Sequence, residues 1–434
     1  MKNYKNNFAS QLLDFIQKSP SCFHVIQNLA EELCARGFER LDEREKWSLK
    51  AGGKYFVTRN DSSIISFSIP RSDFLGFMIS SSHSDSPSFK VKENPEMKAA
   101  GCVRLNVEKY GGMLLNPWFD RPLSLAGRVI LKVSNADGKI VLEQRLVNFD
   151  KNLLMIPNLA IHMNREANDG HKINVQGEMM PVMTMNDGLS LKSIIAESEG
   201  ISESEIISYD LFLYDRSEPA FWGAESEFIS SPKIDDLECA YTTFRGFLNA
   251  ENESNCIVHC VFDNEEVGSE SRQGAASTFL SDTLSRINDS LGRTREEYLT
   301  ALANSFNVSA DNAHAVHPNY IDKADPVNQP KVNGGIVIKF NAAQKYTTDS
   351  VSAAFFKTVC ENAQVPYQIF TNNSNVAGGS TLGNISNTQV SIPSVDIGLA
   401  QWAMHSPYES AGSKDPEFMF KAIREFYESS FQLI

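Results

Sequence analysis

Apolar positions along the chain change period several times, and each change marks an element. From Phe8 to Arg36 they recur at helical spacing, with Leu12, Leu13, Ile16, Val25, Ile26, Leu29 and Leu33 turned one way; two helices separated by Ser19-Pro20-Ser21 are predicted. From Tyr55 to Ser82 short β-type runs take over: YFVTR, SIISFSIP and LGFMISSS. The middle of the chain, residues 96–231, is rich in strand-like segments such as GRVILKV and KIVLEQRLV, with Asn-Ala-Asp-Gly at 135–138 as the expected hairpin turn. Beyond residue 232, strands and helices alternate: CIVHCVF, a helical TFLSDTLSRINDSL, NSFNVSAD, GGIVIKF, a helical SVSAAFFKTVCENA, VPYQIFT and SVDIGLA. Such alternation predicts an α/β fold with a mostly parallel sheet sandwiched by helices. The expected organisation is one discontinuous α/β domain, residues 1–95 and 232–434, interrupted by a β-rich insertion at 96–231. At 434 residues the chain is long for a single core, which agrees with two domains.

The polar residues that follow the apolar strands change the picture from fold to chemistry. His83 and Asp85 follow LGFMISS; Asp263, Asn264, Glu265 and Glu266 follow CIVHCVF; Asp311 and His314 follow NSFNV; His405 follows SVDIGLA. Asp235 and Asp236 stand just before a predicted helix, and the small residue after Glu266 is a place where a helix could begin. In open α/β sheets ligand sites gather beyond the carboxyl ends of strands. Carboxylates packed this closely repel one another and are costly to bury without partners, and a cation is the simplest remedy. Imidazole and carboxylate donors suit zinc, with cobalt or manganese as substitutes, and no CxxC spacing points to a thiolate site. Two ions about 3.5 to 4 Å apart need a bridging carboxylate and further ligands. His83, Asp235, Glu266, Asp311 and His405 supply five of that type, which leaves Glu265 as general base. Each residue alone has a plainer explanation: a helix-capping Asp235, a solvated helix start at Glu265 and Glu266, a turn at Asp311, a backbone-bonded His405. Their company at successive strand ends favours the metal.

Charge and composition narrow the partners. Forty basic against fifty-four acidic residues give a formal charge of -14, which disfavours nucleic acid or an anionic membrane. An acidic small substrate stays compatible, because screening over about 8 to 10 Å lets one local lysine outweigh a distant net charge. Hydrophobic content of 42% and charged content of 22% are those of an ordinary globular protein. The start, MKNYKNNFASQLLDFIQ, reads as no signal peptide, and no run is long enough to span a membrane. Seven scattered cysteines fit reduced thiols in a cytoplasmic protein. GGSTLG lacks both the Walker lysine and GxGxxG spacing, so it reads as a tight turn.

The ordered set HSDSPSFKVK (83–92), YGGMLLNPWFDRPLSLAGRV (110–129), IPNLAIHMNR (156–165), DLFLYD (210–215), DNEEVGSESRQGA (263–275), SADNAHAVHPNY (309–320), GGSTLG (378–383) and MHSPYESAG (404–412) resembles the aspartyl aminopeptidases, a branch of the co-catalytic zinc aminopeptidases. The resemblance implies that His83 and Asp311 bind one zinc, that Glu266 and His405 bind the other, and that Asp235 bridges them. It implies Glu265 as the base acting on a metal-activated water and Asp85 as the carboxylate orienting His83. By the same resemblance His162 reaches a neighbouring subunit's site, and His314 and Lys339 contact substrate. Members assemble from dimers, made by the inserted domain, into dodecamers.

Some positions depart from the family pattern. Lys323-Ala324-Asp325 stands where Lys-His-Glu is common, Lys345 where an arginine is common, and NNSNVAGG carries asparagines in place of charged residues. These changes touch the substrate side. The expected activity is removal of the N-terminal residue of peptides, with Asp or Glu preferred as the finer expectation and Lys339 as its countercharge. A metal-dependent deacylase or amidohydrolase, and a non-catalytic assembly protein with a structural metal, are the alternatives.

Overall fold

The computed structural model of the chain describes residues 7–432 except 136. Residues 1–6, part of the start read as no signal peptide, and Ala136 of the expected hairpin turn lie outside the described residues. Two compact units are formed: Met1–Asp85 with Pro219–Met404 and Glu409–Ile434, and Ser86–Glu218 with His405–Tyr408.

The first unit is built on a mixed, mostly parallel sheet. Among the described residues it has nine strands in the order Glu39–Leu41, Lys54–Arg59, Ser63–Ser68, Cys256–Phe262, Phe77–His83, Phe306–Ala310, Ser394–Gly398, Ile336–Lys339, Tyr367–Phe370. Neighbours run parallel except where Ser63–Ser68 meets its two partners and where Ile336–Lys339 meets Ser394–Gly398. Cys256–Phe262 and Phe77–His83 are buried at every position, which is why they read as continuous apolar or small-residue runs and not as alternating ones. Both faces are covered. One core layer joins the sheet to helices Phe8–Gln17, Cys22–Ala35, Ile234–Leu248, Ser350–Asn362 and Asp415–Glu428 through residues such as Leu12, Leu29, Phe244, Phe356 and Phe426. The other joins it to helices Phe279–Ser290 and Arg295–Ala303 through Phe279, Leu284, Tyr298 and Ala301. The predicted helical pair at the start is present, with Asn7 Oδ1 capping Ser10 N at 2.8 Å.

Register is what carries polar residues to one edge. Phe262 lies beside His83, and Ala310 beside Ile397, so the parallel central strands end nearly level and the residues after them share one rim. Gly398 makes room there: a Cβ at this position would sit 2.0 Å from the Asp311 carbonyl oxygen.

The second unit is a six-stranded antiparallel sheet, in the order Ile140–Asn148, Leu123–Ser134, Ile206–Asp215, Ser88–Ala99, Cys102–Tyr110, Val182–Thr184. Helix Leu191–Glu199 buries Leu191, Ile195 and Ala196 in its core, which includes Leu105, Leu125, Val129 and Leu211. Its limits differ from the expected 96–231. Strand Ser88–Ala99 starts eight positions earlier and pairs with Cys102–Tyr110, while Ala220–Trp222 and Phe228–Ser231 pair within the first unit. The boundary in sequence was blurred because all of these segments look like strands.

Candidate metal centre

The rim of the first unit concentrates carboxylates. His83, Asp235, Asp236 and Asp311 each place a ligand atom so that all lie within 4.8 Å of one another, and His83, Glu265 and Glu266 do the same. Glu266 and Asp235 also come within 4.8 Å. Against these oxygens stand the His83 imidazole and the ammonium of Lys339, 3.7 Å from Asp311 Oδ2. Oxygen and imidazole donors converging in a buried place are the donor set of a zinc-type divalent cation, and the residues fit one.

Each ligand-bearing segment is pinned by a group from elsewhere in the chain. His83 Nδ1 donates to the Asp85 carbonyl at 3.0 Å, with Asp85 Oδ1 at 3.3 Å, so its Nε2 faces Asp235 Oδ1 at 3.4 Å. The Asp85 carboxylate accepts from the backbone N–H groups of Glu265 and Glu266, each at 3.2 Å. Asp85 therefore holds the acidic loop as well as the imidazole. That loop is a single 3-10 turn, Glu265–Val267, entered through Asn264 at φ 64°, and the next helix starts only at Phe279, so no helix begins directly after Glu266.

Asp235 and Asp236 fall in the first turn of helix Ile234–Leu248, where their φ/ψ are non-helical, and the peptide between them is cis. Asp236 Oδ2 accepts from His83 N at 3.0 Å, and Glu409 Oε2 accepts from Asp235 N at 2.9 Å. Glu409 is itself held by Gln401 Nε2 at 3.2 Å. Neither the bond from Asp236 to His83 nor the place of Glu409 follows from the sequence pattern. Glu409 stands in the quoted MHSPYESAG, but its partner is a backbone amide 174 positions away. Lys339 is 3% exposed and donates to the Asn312 carbonyl at 2.8 Å, so it supports the Asp311 segment.

The remaining candidates are placed as follows. His314 is exposed on the short strand Ala313–His314, which pairs with Ala400–Gln401. His162 is exposed in the second unit, outside any strand or helix. His405 also belongs to the second unit, at φ 67°, with Nδ1 bonded to the Gly112 carbonyl. A carbonyl only accepts, so the neutral ring carries its lone pair on Nε2.

Burial, followed by the charges of Asp311, Asp85 and Asp235, pushes Glu265 up to about 8 against the opposing pull of His83. Burial and Asp85 push Asp263 up to about 7. Burial and Asp235 raise Glu266 well above the usual carboxyl range. For His83 burial opposes charge, but Asp236, Asp235 and Asp85 outweigh it and raise the pKa. In the metal-free chain the folded state thus holds protons that the unfolded state releases, from the ordinary carboxyl value of 4.5 up to about 8. This contribution to stability is complete below that window and is lost as pH rises through it. Metal-stripped protein is expected to melt several degrees lower at pH 8 than at pH 6, and metal-loaded protein to lose most of that difference. A stripped protein with a flat melting temperature across the range would contradict the raised values.

The family model of the aminopeptidase I zinc metalloproteases (M18) matches residues 15–427. A probable M18 family aminopeptidase 2 from Clostridium acetobutylicum is 46% identical over 437 residues, 98% of this chain and 100% of that one. Among solved structures, the cryo-EM structure of the Ape4 and Nbr1 complex contains a chain 37% identical, with a TM-score of 0.92 over 97% of this chain and 85% of that one. The S. cerevisiae mApe1 dodecamer is 26% identical, with a TM-score of 0.85 over 98% of this chain and 97% of that one.

Proposed function

As a member of the aminopeptidase I zinc metalloprotease (M18) family, this chain is a zinc metalloaminopeptidase, and we propose that it works with two divalent ions and a glutamate base on peptides with an acidic or neutral first residue. The observation that carries this reading is the convergence of His83, Asp235, Glu266 and Asp311 around half-buried Glu265. His83 and Asp311 would hold one ion and Glu266 and His405 the other, with Asp235 serving both. The fixed tautomer of His405 supports its role, since a ligating imidazole needs its second nitrogen anchored.

When bound, the ions supply Lewis acidity toward the scissile carbonyl and lower the pKa of a water toward about 7. Glu265 takes the proton of the attacking water and passes it to the leaving amine. Asp85 keeps Glu265 and Glu266 in place by their backbone, which would leave Glu265 free for the water while Glu266 held metal. His162, from the exposed loop of another copy, stabilises the charge that develops on the carbonyl oxygen, and His314 contacts substrate. The protein works as a homo-oligomer built from dimers, a reading supported by the dodecamer that the S. cerevisiae relative forms.

Lys339 is the proposed countercharge for an acidic first residue, and its contact with Asp311 gives it a second duty. The two separate experimentally. On a panel of aminoacyl reporters, with chelation and metal add-back as control, Lys339→Met is expected to lower the ratio of Asp to Leu hydrolysis about tenfold or more, the size of one lost charge-assisted hydrogen bond. An equal fall on both substrates would assign Lys339 to Asp311 alone. N-blocked substrates are expected to be inert, and their hydrolysis would favour a deacylase.

A further inference from the structure

The segments that carry Asp235 and Asp311 are tied together by a side chain that is not itself a candidate ligand. Asn312, 2% exposed, donates from Nδ2 to Glu238 Oε2 at 2.7 Å and to the Leu399 carbonyl at 3.3 Å, and its Oδ1 accepts from Cys239 Sγ at 3.4 Å. Both ends of the amide are thus assigned, and the reverse orientation would set its oxygen against the Glu238 carboxylate. Glu238 and Cys239 lie in helix Ile234–Leu248, about one turn beyond Asp235, and both are fully buried. A buried carboxylate without a donor is costly, so Glu238 holds Asn312 as firmly as Asn312 holds it. The bond therefore spans from the strand end at Asp311 to the helix start at Asp235.

The other donor segments are anchored differently. Glu409 accepts from Asp235 N, Asp236 accepts from His83 N, and Asp85 accepts from Glu266 N. Asp311 N bonds to the Ile397 carbonyl, a ladder contact that fixes its strand but not its distance from the helix. That distance is fixed one residue later, by the amide of Asn312. The Asn312 carbonyl also accepts from Lys339 Nζ at 2.8 Å, and Lys339 in turn stands 3.7 Å from Asp311 Oδ2. Asn312 thus supports Asp311 from two directions, once through Glu238 and once through Lys339.

We propose that Asn312, clamped by Glu238, is a positioning residue that sets the spacing of Asp311 from Asp235 and thereby governs the affinity of the ion assigned to His83 and Asp311, while the ion at Glu266 depends on the Asp85 anchor instead. The proposal rests on the two-ion reading above and adds to it a residue that acts on one ion and not on the other. Groups that orient a ligand commonly change metal affinity by about 10- to 100-fold when removed.

The test is a zinc titration of metal-stripped, full-length protein against a competing chelator, with a melting curve beside it. In Asn312→Leu one binding step is expected to weaken about 10- to 100-fold, and it is the step that Asp311→Asn weakens; the other stays within about threefold. Glu238→Met, which leaves Asn312 in place but takes away its acceptor, is expected to weaken the same step, so the proposal stands or falls on this variant if Asn312→Leu does not fold. Glu238→Gln keeps an oxygen for Asn312 Nδ2 and is expected to bind both ions within about threefold of the parent. A purely structural part for the pair would lower the melting temperature and leave both steps alike. Two steps weakened equally, two steps unchanged, or a Glu238→Gln variant as weak as Glu238→Met overturns the positioning role and leaves the two-ion reading standing. A parent that binds a single ion overturns both.

Discussion

Replacing Glu265 by glutamine is expected to leave both metal ions bound and to lower hydrolysis by about 10²–10⁴-fold, the range for loss of a positioned general base. The substitution keeps the shape of the side chain and removes only its ability to take a proton. Glu265 N stays bonded to Asp85, so the turn that also carries Glu266 is preserved. The raised pKa of Glu265 comes first from burial and then from the neighbouring carboxylates, and a neutral amide suits that environment. The variant is therefore expected to fold at least as well as the parent. The check is metal content beside single-turnover rates: a variant that loses metal together with activity would make Glu265 a ligand, and one that keeps full activity would leave the base elsewhere.

The second large effect is expected at Asp235. Asp235→Asn removes a charge that belongs to two of the three ligand groups and, in the two-ion arrangement, the bridge. Metal affinity is expected to fall by at least about 10²-fold and activity with it, since the remaining donors then serve the ions separately. The metal-free chain should respond in the opposite sense. Asp235 raises the pKa of Asp236, Glu266 and Asp311, so its neutralisation relieves repulsion and the stripped variant is expected to melt higher than the stripped parent. Calorimetric zinc titration and a melting curve in chelator read the two effects separately. Unchanged affinity, or a stripped variant that melts lower, would contradict the part given to Asp235.

What could be read in the sequence was whatever a strand's end displays. His83, Glu265, Glu266 and Asp311 each follow a run of apolar or small residues, and parallel strands in level register bring such ends together. The α/β architecture and the helical pair at the start came from period alone. Contacts that join a side chain to a distant backbone leave no such trace. Asp236 reaches His83 N across 153 positions, and Glu409 reaches Asp235 N across 174. Lys339 looked like a strand residue with a substrate to meet, yet its buried ammonium also serves Asp311 and the Asn312 carbonyl. The turn at Glu265 has no periodic signature, because the Asp85 carboxylate that holds it lies 180 positions away.

The central claim is tested most directly by anomalous scattering at the zinc edge from crystals grown with zinc. Two peaks are predicted, one against His83 and Asp311 and one against Glu266, with Asp235 touching both and the Glu265 carboxylate touching neither. A single peak, or a Glu265 oxygen in the coordination sphere, would contradict it.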